Sequence, residues 1–115
     1  MTDKPWGRNY EPGVPHEIDA DAYTSIWAMS AAAIAKHGGA TAFSNFGADL
    51  SFDDIDRLSE NLAAYLQSEL GLKKGDRVAI MSPNIMAFPV TMFANMRAGL
   101  VQVNVNPLYT PRELQ

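Results

Sequence analysis

The sequence predicts an α/β fold, and three observations carry that expectation. Two short apolar runs, Arg77-Val78-Ala79-Ile80-Met81 and Leu100 to Val105, bracket a helical stretch of roughly 20 residues, enough for the crossover that joins parallel strands. Two upstream stretches repeat apolar residues at three- and four-residue intervals, the mark of helices with one buried face. Glycine and proline punctuate the intervals between these elements. The expected order is an N-terminal arm, a helix, a short β-hairpin, a helix, and then a βαβ unit with two parallel strands.

Residues 1–21 hold Pro5, Pro12, Pro15, Gly7 and Gly13 with no sustained period, and read as an extended arm. Trp6, Tyr10 and Ile18 are expected to dock that arm on the chain's own body, since exposed aromatics rarely sit idle. Residues 22–115 form the second unit, an incomplete domain. Its first helix carries Tyr23, Ile26, Trp27, Ser30, Ala31 and Ile34 on one face and stops at Gly38-Gly39. Ala42 to Phe46 and Asp49 to Ser51 flank Gly47, a hairpin signal.

Ser51 then caps a second helix whose first turn is loaded with Asp53 and Asp54, as the helix dipole favours. Its inward face reads Ile55, Leu58, Leu62, Tyr65, Leu66 and Leu70, and Gly71 ends it with Leu72 folding back on Leu66 in a Schellman-type stop. Asp53, Asp54 and Asp56 look like metal ligands. Capping is the better reading, because adjacent helical positions diverge and do not converge on one ion. Lys73-Lys74-Gly75-Asp76 reads as a solvated turn rather than a phosphate site.

The run Arg77–Met81 predicts a strand covered on both faces. Ser82-Pro83-Asn84 breaks it and starts a third helix with Ile85, Phe88, Met92, Phe93 and Met96, inside which Pro89 either falls in the first turn or kinks the helix. Arg97 and Gly99 finish that helix. The loops after the two parallel strands, Ser82 to Asn84 and Asn106 to Tyr109, then share the carboxyl edge where open α/β sheets bind ligands. Thr110-Pro111-Arg112-Glu113 reads as a further helix start, with Thr110 as cap and Glu113 closing a capping box, yet only Leu114 and Gln115 follow. A start so well specified is expected to belong to a truncated chain, because so short a helix is marginal in water.

Composition removes several function classes. The chain has 115 residues, 47% of them hydrophobic, which suits a core and argues against disorder. Nine basic residues against thirteen acidic give a net charge of -4 with no basic block, which disfavours nucleic acid. With no cysteine, thiol catalysis, disulfides and cysteine zinc sites are excluded within these residues. His16 and His37 have no ligand-like spacing, and His37 fits a helix C-terminus. No secretory signal opens the chain, and the apolar tracts are short of the ~20 residues a membrane span needs. A cytoplasmic protein is expected. There is no glycine-rich phosphate loop, no nucleophile elbow and no carboxylate pair placed for acid–base work. The methionines at 81, 86, 92 and 96 read as core filling.

Three segments carry a family resemblance. Leu50-Ser51-Phe52-Asp53-Asp54-Ile55 looks like the first core motif of the adenylate-forming enzymes, with Phe52, Asp54 and Ile55 as conservative departures. Gly75-Asp76-Arg77-Val78-Ala79-Ile80, followed by Ser82-Pro83-Asn84, looks like the strand and loop of the same superfamily. Arg97-Ala98-Gly99 through Asn106-Pro107 resembles its second core motif. Asn104 to Leu114 and the aromatic, proline-rich lead-in most resemble bacterial long-chain fatty acid–CoA ligases. The resemblance covers essentially the whole chain and implies an incomplete N-terminal subdomain of the adenylate-forming fold.

The resemblance implies an AMP-forming ligase that joins a fatty acid to ATP and passes the acyl group to coenzyme A, with Mg2+ offsetting phosphate charge. The motifs that carry this chemistry in the family have no counterpart in these residues. No catalytic, cofactor or metal residue is therefore expected here, and ATP, Mg2+ and coenzyme A are not expected to bind these residues alone. Ser51, Gly99, Pro107 and Thr110 are expected to be structural, and Asn106 and Tyr109 are candidates for the substrate edge. The implied partners are the remainder of the same polypeptide and the fatty acid, with a homodimer and peripheral membrane contact left open. Two other readings stay open on the sequence: a ligase for another acid, and a standalone interaction module without catalysis.

Overall fold

The computed structural model describes residues 4–115. Its regular elements are a short 3-10 helix at Pro5–Asn9, α1 (Ile26–His37), β1 (Thr41–Asn45), β2 (Ala48–Ser51), α2 (Phe52–Ser68), β3 (Arg77–Met81), α3 (Ala87–Ala98) and β4 (Val101–Val105). The strands form two separate two-stranded sheets, an antiparallel β1–β2 hairpin and a parallel β3–β4 pair joined through α3.

Each helix starts and stops for a local reason. The Ser25 hydroxyl accepts from the Ala28 amide at 3.0 Å to open α1, and Gly38, at φ 39°, closes it. That cap leaves Tyr23 outside the helix and exposed, so the apolar face is shorter than its spacing suggests. Ser51 opens α2 with a complete capping box: its hydroxyl accepts from the Asp54 amide at 3.0 Å, while Asp54 Oδ2 accepts from the Ser51 amide at 3.2 Å. The Leu72 amide donates back to the Leu66 carbonyl at 3.0 Å, one residue wider than a Schellman closure, because the Leu70 amide has already reached back to Tyr65. Pro89 falls in the first turn of α3, where its missing N–H leaves no bond unmade. Gly99 ends α3 in the left-handed region at φ 69°.

The hairpin turn places Phe46 at φ 49° and Gly47 at φ 79°, the two positive angles of a type I′ loop. Phe46 holds a conformation that favours Asn or Gly, and its ring is 96% exposed.

The core lies between α2, α3 and the inner face of the parallel pair. Ala63 and Leu66 of α2 meet Ala94 and Ala98 of α3 with Leu100, and Leu62, Leu72 and Val78 pack around them. The buried stripe of α2 is therefore Ile55, Ser59, Ala63 and Leu66, while Tyr65 and Leu70 face solvent. Small side chains on both helices allow close approach, which rotates α2 away from the large-residue face that its apolar spacing predicts. Arg97 ties the three helices together. It pairs with the Asp56 carboxylate, donates to the Asp56 carbonyl at 3.2 Å, lies 3.9 Å from Glu60, and stacks 3.9 Å above the Trp27 ring.

Two expectations fail for want of covering layers. Only the Val78 and Ile80 face of β3 is covered; Arg77, Ala79 and Met81 are exposed. At the N-terminal end, Tyr10 stacks on His16 at 5.4 Å and Lys4 pairs with Glu17 at 2.7 Å, so these residues fold on one another. Trp6, Tyr10 and Ile18 all remain exposed rather than docking on the body. The accessible surface is 8710 Å². A compact monomer of 12.6 kDa shows roughly 6,200 Å². The radius of gyration is 17.6 Å, against roughly 13 Å for a compact domain of this length.

Candidate functional site

The carboxyl ends of β3 and β4 lie side by side, Met81 against Val105, so the segments that follow them emerge on one edge. The hairpin is brought to the same edge. Asn45 Nδ2 donates to the Asn84 carbonyl at 3.0 Å, and the Phe43 ring meets Phe93 of α3 edge-on at 6.3 Å. Between β1 and the start of α3 these contacts leave a groove of about 290 Å³. Its walls are Phe43, Ile85, Met86, Phe88 and Met92, with Asn45 at its polar end.

No titratable side chain lines this groove. It can hold an apolar group and offer amide hydrogen bonds at one end, but it supplies no acid, base or nucleophile. Among the described residues no three His, Cys, Asp or Glu side chains gather in a way that could hold a metal ion. Asp53, Asp54 and Asp56 diverge: the Asp53 amide donates to Gly38, Asp54 closes the capping box, and Asp56 pairs with Arg97. The groove lining includes no carboxylate that could hold Mg2+ and no basic side chain that could meet a nucleotide phosphate. Among the described residues, too, no helix is long and apolar enough to cross a membrane.

The two candidate edge residues sit after β4. Asn106 Oδ1 accepts from the Leu108 amide at 3.0 Å, and the Asn106 carbonyl accepts from the Tyr109 amide at 3.0 Å. The side-chain carbonyl is thus engaged in an Asx-type turn through Pro107, and Tyr109 is exposed. Neither residue lines the groove. At Thr110 the amide and hydroxyl both donate to Glu113 Oε2 at 2.8 Å, but the segment closes as a turn rather than a helix. Those bonds, the backbone one first, hold the Glu113 carboxyl below its ordinary value.

Sequence reasoning did not find the groove walls contributed by the hairpin. Phe43 and Asn45 stand two apart on β1 and so point the same way, a signal present in the sequence. What the sequence could not supply is the 39-residue span from Asn45 to Asn84 that folds the hairpin onto the edge. Met86 and Met92 line the groove, and Met81 stands on the open face of the sheet, so these methionines do not fill the core as expected.

The chain has clear relatives. The family profile described as AMP-binding enzyme matches residues 30–115. A long-chain-fatty-acid–CoA ligase of Escherichia coli O6:H1 is 48% identical over 112 residues, covering 97% of this chain and 20% of that protein. The ligase of the same description in Bacillus subtilis is 40% identical over 117 residues, again 20% of its length. Among solved structures, the N-terminal subdomain of Klebsiella oxytoca NpsA matches with a TM-score of 0.73 at 25% identity, covering 76% of this chain and 23% of that one. The chain thus spans about a fifth of the curated relatives it matches.

Proposed function

Because the chain belongs to the AMP-binding enzyme family, we propose that it is scaffold from a ligase that activates a long-chain fatty acid with ATP and transfers it to coenzyme A. The supporting observation is the 48% identity that runs across 97% of the chain to a long-chain-fatty-acid–CoA ligase. A carboxylate has no good leaving group, and adenylation supplies one: the acid displaces pyrophosphate from ATP, and the thiol of coenzyme A then displaces AMP. Mg2+ and the phosphate-binding groups belong, in this reading, to the rest of the polypeptide, and the enzyme works in the cytoplasm.

These residues contribute form rather than chemistry. The Ser51 cap and the Gly99 stop fix α2 and α3, and the Asn106–Pro107 turn sets how the chain leaves the parallel edge. We assign to Asn106 and Tyr109 a part in shaping the substrate side of the complete enzyme. Asn106→Ala is expected to lower acyl-adenylate formation without unfolding, and unchanged kinetics retire that assignment.

The test of the main reading is product formation. The complete gene product, given palmitate, ATP, Mg2+ and coenzyme A, is expected to yield palmitoyl-CoA and AMP by mass spectrometry. Thioester formed only from aryl or short acids would move the protein to another acid class. No acyl transfer from any carboxylic acid would favour a non-catalytic module.

A further inference from the structure

We propose that Asn95 is a positioning residue for acid activation, acting through Gln102 and Asn104 to hold the end of β4 and the Asn106 turn that follows it. It rests on the ligase reading above for the reaction and on a buried amide for the geometry. Asn95 is 1% exposed in a helix that otherwise turns alanines to the core, and its Oδ1 accepts no hydrogen bond among the described residues. The side chain reaches across to the strand: Nδ2 donates to Gln102 Oε1 at 3.4 Å, and Gln102 Nε2 donates to Asn104 Oδ1 at 2.7 Å. Register sets Gln102 beside Val78 and Asn104 beside Ile80, so both amides lie on the α3 side of the sheet and lead from the core to the exposed Asn104.

A polar side chain this deep is less favourable than an apolar one unless all its groups are satisfied, and those of Asn95 are not. Packing alone would be served by another alanine, as at Ala94 and Ala98. What the amide adds is a tie between α3 and β4. The Asn95 carbonyl accepts from the Leu100 amide at 2.9 Å, which fixes where β4 begins. The side-chain bonds carry that anchor along the strand to Asn104. Asn106 comes two positions later, the spacing at which side chains return to one face, and its Oδ1 accepts from the Leu108 amide at 3.0 Å. The register of the parallel pair ends at Met81 and Val105, so the direction in which the edge leaves the sheet is set by such side-chain bonds. A displacement of about 1 Å at that edge is enough to cost up to roughly a hundredfold in rate, even from a group remote from the reacting atoms.

The test is made in the complete gene product with Asn95→Ala, Gln102→Met and the double variant. Hydrogen exchange at the amides of residues 104–109 is expected to rise roughly fivefold in each, the loss of one ordinary hydrogen bond, while the α2 amides and Tm stay unchanged. Palmitate-dependent exchange of pyrophosphate into ATP is expected to lose roughly tenfold in kcat, with KM for ATP unchanged. The double variant is expected to match the single ones, because the amides act as one unit. Unmoved hydrogen exchange at 104–109 overturns the proposal, and so do an unmoved kcat, additive losses, or a kcat that falls only as Tm falls. Gln102→Met, at a half-buried site, decides the matter if Asn95→Ala does not fold. A wild-type product that activates no palmitate sinks the ligase reading instead, and hydrogen exchange then decides by itself whether the tie between α3 and β4 stands.

Discussion

Replacing Arg97 with Met keeps the aliphatic stem and removes the guanidinium that joins α1, α2 and α3. The stacking on Trp27 at 3.9 Å is partly desolvated and contributes about 1 kcal/mol. The charged hydrogen bond to the Asp56 carbonyl at 3.2 Å contributes about 1.5 kcal/mol. The Asp56 carboxylate is 45% exposed, so its ion pair adds only about 0.5 kcal/mol, and the more exposed Glu60 at 3.9 Å adds little. Against these stands Arg97 Nε, buried without a partner, whose removal recovers about 1 kcal/mol. The net loss is about 2 kcal/mol, or roughly a thirtyfold rise in local opening. Native-state hydrogen exchange at the Ala94, Asn95 and Ala98 amides of α3 reads this directly. Arg97→Lys, which keeps the charge but loses the planar fork, is expected to recover less than half of the loss. A change below about threefold in those amides would refute the clamp and leave Arg97 a surface charge.

Other perturbations test the scaffold element by element. Ser51→Ala removes the α2 cap and is expected to destabilise by about 1 kcal/mol in denaturant titration. Asp54 is held below its ordinary value of 3.8, first by the Arg57 side chain and then by the Ser51 amide and hydroxyl. A depressed carboxylate stabilises above its unfolded value and loses that contribution as pH falls through the folded one. Exchange of the first-turn amides of α2 should therefore rise as pH drops below 3.8, and Asp54→Asn should flatten the profile. Gly99→Ala forces a side chain into φ 69° with its Cβ 3.2 Å from Lys74 Cγ, at a cost of about 1 kcal/mol seen as a lowered Tm. Leu66→Ala opens the core and costs about 3 kcal/mol, whereas Ala94→Leu overpacks the α2–α3 contact and costs about 2 kcal/mol.

Local chemistry was legible and global packing was not. The Ser51 capping box, the Gly38 and Gly99 stops, the hairpin and the parallel crossover all depend on residues close in sequence, and the sequence states them directly. The buried stripe of α2 depends on what α3 presents, and α3 presents alanines, which no pattern within α2 reveals. Arg97 looked like the charged end of a helix, since Trp27 and Asp56 lie 70 and 41 positions away and no periodicity links them. Pro89 needed the start of α3, which comes at Ala87 rather than directly after Asn84. The groove beside Asn45 and Asn84 combines two segments that no local pattern joins. The family resemblance, by contrast, rested on three short motifs, and the relatives that match 97% of the chain agree with it.

Under the proposed ligase reading, these residues frame an acid-activating site whose reactive groups lie elsewhere in the polypeptide. Palmitate-dependent exchange of pyrophosphate into ATP, measured side by side on the complete gene product and on residues 1–115, tests it most directly. Exchange is expected from the first and none from the second. Exchange by residues 1–115 alone, or a complete product inert toward every carboxylic acid offered, would contradict it.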